Sequence, residues 1–247
     1  MAATTATRAS SNIKFYTNPN CPWAQRAQIA LKELDVPYEE EIIDLGTPRP
    51  EWYLKINPRG LVPSLIYNGD GLHDEILTES SVVAQFLADA YPSHLSEAAT
   101  TGGPRGALTR ARINFFVDTF FTKIQPAFYP MLTADNEEDK EKHAQAMVTA
   151  IKNEIEPLLK DAGAFFGGSS KLTMAEVLTA PFVIRFATFG DSDLFPASFK
   201  RGVDNLPNYS KWAAALSSHE NVRFNYDSQS IVESTKKRIA KMKSQTK

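Results

Sequence analysis

The sequence predicts two domains: an α/β domain with a small sheet covered by helices, then an all-helical domain. Three observations carry that reading. Up to about Pro92 short β-type runs alternate with helical patterns. From Leu108 onward apolar residues recur at helical spacing, with Gly and Pro mainly at boundaries. Between them lies a linker, 93–107, centred on Thr100-Thr101-Gly102-Gly103-Pro104. The expected division is a flexible N-terminus at 1–11, the α/β domain at 12–92, the linker at 93–107, the helical domain at 108–226 and a basic tail at 227–247.

In order, Ile13–Tyr16 is a strand, and Trp23–Leu34 is a helix with apolar positions at Ala27, Ala30, Leu31 and Leu34. Tyr38–Asp44 is a second strand. A Pro-broken connection, Gly46-Thr47-Pro48-Arg49-Pro50, leads to a short helix through Glu51–Leu54. Strands at Val62–Ile66 and Glu75–Leu77 flank the turn Asn68-Gly69-Asp70-Gly71, and a helix from Ser80 to about Tyr91 closes the unit. In the second domain Ile113, Phe116, Val117, Phe120, Phe121 and Ile124 mark one helix face. Further helices are expected at Glu138–Leu159, Met174–Phe189 and Tyr209–Ser217. Thr173-Met174-Ala175-Glu176 fits a capping box, in which the Thr hydroxyl takes an N3 amide and Glu176 reaches back. The tail carries Lys236, Lys237, Arg238, Lys241, Lys243 and Lys247, expected as a solvated terminal helix or frayed tail.

A length of 247 residues and 43% hydrophobic content suffice for two cores. A net charge of −2 gives no reason to expect a nucleic-acid partner. The single cysteine excludes an internal disulfide and suits a reducing compartment. The first residues lack a signal-peptide core and no apolar run reaches membrane-spanning length, so a cytoplasmic protein without a membrane partner is expected. His73, His94, His143 and His219 show no metal-ligand spacing, and no metal is expected.

The chemistry-bearing stretch is Tyr16-Thr17-Asn18-Pro19-Asn20-Cys21-Pro22-Trp23-Ala24-Gln25-Arg26. Asn-Pro-Asn reads as a turn, and Pro22 stands where a first helical residue belongs, its missing N–H unneeded and its φ preset. Cys21 therefore sits just ahead of a helix, where free amides and the helix dipole favour thiolate. A dipole contribution of roughly 1 to 2 kcal/mol lowers a thiol pKa by about one unit. Arg26 offers long-range help. The competing reading is a lone cysteine serving as a small buried hydrophobe.

Cys-Pro-Trp-Ala is similar to the active-site turn of glutaredoxin-like folds, with Ala24 where a dithiol enzyme has its second cysteine. With no resolving partner in the chain, the pattern resembles the cytosolic glutathione transferases of the omega-like, cysteine-bearing type. The resemblance runs from about Ile13 to Val222, and Phe165-Phe166-Gly167-Gly168 ahead of the capping box adds the helical-domain folding motif of that family. It implies a thioredoxin-like N-terminal domain followed by an all-α helical bundle, glutathione as co-substrate, and a homodimer.

The resemblance also implies site residues. In Gly60-Leu61-Val62-Pro63 a cis Pro63 would turn the Val62 N–H and C=O toward the cysteinyl backbone of glutathione. In Thr78-Glu79-Ser80-Ser81 the Ser80 hydroxyl and helix amides suit the γ-glutamyl carboxylate, and Glu79 the γ-glutamyl ammonium. Simple N-capping also explains a Ser there. Arg49, ahead of Pro-Glu-Trp, would hold the glycyl carboxylate, and Trp23 would line the sulfur pocket; Lys32 and Arg59 have no comparable claim. Tyr16 matches the position where tyrosine-type relatives carry a catalytic hydroxyl, but beside Cys21 a packing role is expected. A hydrophobic electrophile would lie between the domains against Trp23, Phe116, Phe120 and Trp212, residues whose periodicity equally fits core packing.

Two chemistries follow from the resemblance. In thioltransfer Cys21 thiolate attacks a glutathione mixed disulfide and a second glutathione resolves it. In conjugation, bound glutathione thiolate adds to an electrophile, and addition followed by elimination would make a cis–trans isomerase of an enone or polyene. A non-catalytic interaction protein reusing the fold is the alternative of another class.

Overall fold

The computed structural model describes residues 12–95 and 103–245. The expected flexible segment 1–11 and linker residues 96–102 lie outside them. The chain divides between Leu87 and Ala88 into two compact units.

The first unit runs β1 (Asn12–Thr17), α1 (Pro22–Glu33), β2 (Glu39–Ile42), α2 (Glu51–Ile56), β3 (Ser64–Gly69), β4 (Leu72–Thr78) and the start of α3 (Ser80–Ala90). Its four strands lie in the order β2-β1-β3-β4. β1 pairs parallel with β2, Lys14 opposite Glu39, and antiparallel with β3, Phe15 opposite Leu65. The βαβ crossover through α1 makes the parallel pair and the Gly69–Leu72 hairpin makes the antiparallel edge. Burial follows from this order: central β1 and β3 are apolar and mostly buried, whereas edge β2 and β4 are largely exposed. Ile13, Phe15, Leu65, Ile29, Leu31, Val83 and Leu87 form the core around the sheet.

The second unit is helical throughout its described residues: α4 (Gly103–Thr119), α5 (Gln125–Thr133), α6 (Glu137–Ala150), α7 (Met174–Gly190), α8 (Ala197–Asp204), α9 (Pro207–Ser218), α10 (Glu220–Arg223) and α11 (Ser228–Gln245). Two π-turns, Phe120–Ile124 and Ile151–Ile155, extend α4 and α6, and they share a cause. Each is followed by an X-Pro pair, Gln125-Pro126 or Glu156-Pro157, and the proline neither donates to nor makes room for the carbonyl four residues back. The ladder widens by one residue: Gln125 N donates to the Phe120 carbonyl and Glu156 N to that of Ile151.

The capping box forms as expected, and its carboxylate does more. Glu176, with no exposed surface, accepts from Thr173 N at 2.8 Å and Thr173 Oγ1 at 2.6 Å, and also from Phe166 N and Trp212 Nε1, both at 2.8 Å. One side chain thus ties α7, the Phe166–Gly168 turn and α9 together. Its burial pushes the carboxyl above its ordinary value against the pull of those donors.

Over its described residues the basic tail is helical and mostly exposed, and Lys247 lies outside them. The helix is α11, with Ile231 buried, Lys236 Nζ 2.6 Å from Asp193, and Lys243 Nζ 3.0 Å from both Asp135 and the Ala134 carbonyl. Its acidic partners belong to its own chain. The sequence reading gives no helix at α5, α8 or α10, and of these α10, with four residues, is too short to display a period.

Candidate active site

Asn18 sets the turn before α1. Its Oδ1 accepts from Asn20 N at 3.0 Å, its carbonyl from Cys21 N at 3.0 Å, and its Nδ2 donates to the Ile43 carbonyl at 2.9 Å. Cys21 follows as the N-cap of α1 in extended backbone (φ −90°, ψ 115°), with Pro22 in the first turn and no side chain capping the helix. Gln25 N donates to the Cys21 carbonyl at 3.1 Å, so the helical ladder begins at the cysteine itself. Cys21 is partly exposed and packs against the buried cluster formed by Tyr16, Ala24, Ile43, Tyr53 and Val62. Its Sγ lies 4.0 Å from the Val62 carbonyl, a long contact even for sulfur.

The Val62-Pro63 peptide is cis. Among the described residues the Val62 N–H has no acceptor, which leaves a donor beside the thiol. A buried network holds the approach to it. Tyr53 Oη donates to the Leu61 carbonyl and lies 3.0 Å from Ser64 Oγ, while Asn57 Nδ2 donates to the same two groups at 2.8 and 3.1 Å. Sequence reasoning did not find Tyr53, Asn57 and Ser64. Their polar types inside an apolar stretch were the available signal.

Arg26 is a buried charge that interacts electrostatically with Cys21. It is 4% exposed, donates from Nη1 to Ser80 Oγ at 3.1 Å, and stacks its guanidinium 4.5 Å from the Trp23 ring centroid. Burial pulls its pKa down from the ordinary arginine range to about 9, partly offset by the Cys21 sulfur, so it stays a cation at neutral pH. Ser80 itself is buried at the start of α3. With its oxygen accepting from Arg26, its hydroxyl hydrogen is left to donate elsewhere.

Glu79 precedes it in the left-handed region, φ 69°, and its carbonyl accepts from Val83 N to open α3. For a side-chain-bearing residue that conformation costs about 1 kcal/mol or more, and such outliers collect at binding sites. The Glu79 carboxylate pairs with Arg59 Nη1, both side chains more than half exposed. Arg59, given no claim from the sequence, thus meets the carboxylate expected to hold a ligand ammonium.

Arg49 is held by backbone carbonyls of its own loop. Its Nε donates to the Gly60 carbonyl at 2.9 Å, Nη1 to those of Asp44 (2.8 Å) and Thr47, and Nη2 to Leu45 at 3.5 Å. Four of five N–H groups therefore staple the 44–60 loop, leaving one and the charge for a carboxylate. Gly60 allows this: φ is 64°, and a Cβ would stand 2.9 Å from Arg49 Cγ.

Tyr16 is buried against Trp52 and Tyr53, at ring distances of 6.0 and 5.6 Å. Phe116, Phe120 and Trp212 have no exposed surface. Phe116 packs on Phe166 and Trp212, Phe120 on Phe121, Phe182 and Phe186, and Trp212 is anchored by Glu176. All three form the helical core. Among the described residues no group of three or more His, Cys, Asp or Glu could hold a metal, and no helix is long and apolar enough to cross a membrane.

Residues 20–90 match the family model of the glutathione S-transferase N-terminal domain. Glutathione S-transferase omega-1 of Mus musculus is 27% identical over 204 residues, 83% of this chain and 76% of its own length. A probable glutathione transferase omega-2 of Caenorhabditis elegans is 29% identical, covering 85% of this chain and 79% of its own. Two crystal structures from Trametes versicolor share the fold. Glutathione transferase Omega 1C has a TM-score of 0.77 at 26% identity, covering 93% of this chain and 97% of that one. Omega 2C has 0.75 at 29%, covering 93% and 99%.

Proposed function

We propose, for a chain that by these comparisons is an omega-like glutathione transferase, that Cys21 carries the reaction by forming a mixed disulfide with glutathione. The observation that supports this best is the placement of the only cysteine at the amino end of α1, beside the buried Arg26 cation and the open Val62 N–H. The thiolate attacks the glutathionyl sulfur of R–S–SG, making Cys21–S–SG and releasing RS⁻. A second glutathione thiolate then attacks that disulfide, forming GS–SG and returning Cys21 thiolate. The sum is R–S–SG + GS⁻ → RS⁻ + GS–SG, in which the incoming glutathione sulfur is oxidised as the R sulfur is reduced, and no second protein thiol is required.

In this reading Val62 pairs with the cysteinyl backbone of glutathione, and Pro63 fixes that segment. Ser80 donates to the γ-glutamyl carboxylate, aided by the α3 amides. Glu79 accepts the ammonium in exchange for the Arg59 guanidinium, a swap of one exposed cation for another. Arg49 contributes its charge and remaining N–H to the glycyl carboxylate, and Trp23 covers the sulfur. Arg26 is a positioning residue that orients Ser80 and stabilises the thiolate. Exposed Leu72 and Ile76 on β4 and Val82 on α3 suit a homodimer. The acceptor R is a small hydrophobic electrophile or disulfide. Incubation with glutathione disulfide tests the covalent step: intact mass should rise by one glutathionyl group, reversibly with reductant. An unmodified protein under those conditions, or a modified Cys21→Ser, overturns it.

A further inference from the structure

The helical unit contains a cavity that no part of the glutathione chemistry uses. It has a volume of about 160 Å³ between α7, α8 and α9, lined chiefly by Val183, Phe186, Phe199, Val203, Tyr209 and Ala213. All its walls belong to the second unit, whereas Cys21 belongs to the first. An apolar cavity of about this size accommodates a single benzene ring.

One wall group has unfinished business with a ligand. Tyr209 is 2% exposed, and among the described residues nothing hydrogen-bonds its hydroxyl. Its position is fixed from behind: Glu156 accepts from Asn208 N at 3.0 Å and from Tyr209 N at 2.7 Å, capping α9, and Trp212 lies 5.9 Å from its ring. The Tyr209 oxygen keeps some accessible surface, so the hydroxyl can donate to water or to a ligand in the cavity. Burial pushes the phenol well above its ordinary pKa, so the proton stays on the oxygen as a donor. The charges lining the cavity are already neutralised, Lys200 pairing with Asp191 at 3.1 Å and with Asp204 at 4.0 Å. That leaves no call for a charged ligand.

We propose that this cavity is a second ligand site, for a neutral single-ring aromatic bearing one oxygen, such as a phenol or aryl ketone, held by the Tyr209 hydroxyl. The ring fills the apolar walls and the oxygen accepts from Tyr209. Binding here is separate from glutathione binding and needs no Cys21.

The test is a fluorine NMR titration of the full chain with 4-fluorophenol and, in parallel, fluorobenzene. Wild type should bind both saturably. Tyr209→Phe should weaken 4-fluorophenol by about tenfold and leave fluorobenzene unchanged, the loss of one hydrogen bond. Ala213→Leu, which fills the cavity, should abolish both, and Cys21→Ser should change neither. Absence of saturable binding to wild type, equal 4-fluorophenol affinity in Tyr209→Phe, or displacement by glutathione would each overturn the proposal. If Ala213→Leu melts early, the two Tyr209→Phe titrations decide alone.

Discussion

Replacing Arg26 with Met isolates the electrostatic part of the account. The guanidinium is almost wholly buried, touches Ser80 Oγ and the Trp23 face, and faces the Cys21 sulfur as its offsetting charge. Met keeps the unbranched apolar stem and removes the charge. A buried cation costs several kcal/mol to desolvate, so its exchange for an apolar side chain should change stability by no more than about 2 kcal/mol. The thiolate loses a nearby opposite charge, which raises a pKa by about 1 to 2 units, or roughly 1.4 to 2.8 kcal/mol. Once the pKa lies above the working pH, each unit removes about nine-tenths of the remaining thiolate. The rate of iodoacetamide alkylation against pH reads the midpoint directly. Arg26→Lys should keep most of the low midpoint, separating charge from the guanidinium's shape. A midpoint in Arg26→Met within about 0.3 unit of wild type, with the fold intact, would refute the role given to Arg26.

Two other perturbations test the helical unit. Glu176→Gln keeps one carbonyl oxygen for Phe166 N and Trp212 Nε1 but turns an NH2 toward the Thr173 amide and hydroxyl. It should cost about 2 to 4 kcal/mol, a fall of about 5 to 15 °C in Tm, and an unchanged melt would contradict the hub role. The Asp193 carboxyl is held below its ordinary value, first by its hydrogen bond from Lys236. A carboxylate favoured by folding stabilises above its unfolded pKa, and that contribution disappears as pH falls through the folded value. Protection factors of the α11 amides, corrected for intrinsic exchange, should therefore fall on acidification by less than about 1 kcal/mol, and Lys236→Met should remove this dependence. An α11 indifferent to pH while the rest stays folded would contradict it.

What the sequence made legible was local. The Asn-Pro-Asn-Cys-Pro turn, the strand–helix alternation and the Thr173–Glu176 box each fit within a few residues, where turn chemistry and spacing act. Pairings across the chain were not visible. Arg26 meets Ser80 across 54 residues and Glu156 caps α9 from 52 and 53 residues away. The Lys243 contact to Ala134 spans 109 residues. Periodicity marked Phe116 and Phe120 as one apolar face but could not say what covers it, and the fold covers it with Phe166, Phe182, Phe186 and Trp212. Arg49 was legible as a cation near the site, yet its fork is spent on carbonyls supplied by a loop whose path no local rule predicts.

Turnover of hydroxyethyl disulfide with glutathione, in wild type and Cys21→Ser, tests the central claim most directly when paired with calorimetric titration of glutathione. The account predicts that Cys21→Ser abolishes turnover while glutathione binding persists through Val62, Glu79 and Ser80. Undiminished turnover in the variant, or a wild type that binds glutathione but never turns over the disulfide, would contradict cysteine-centred catalysis.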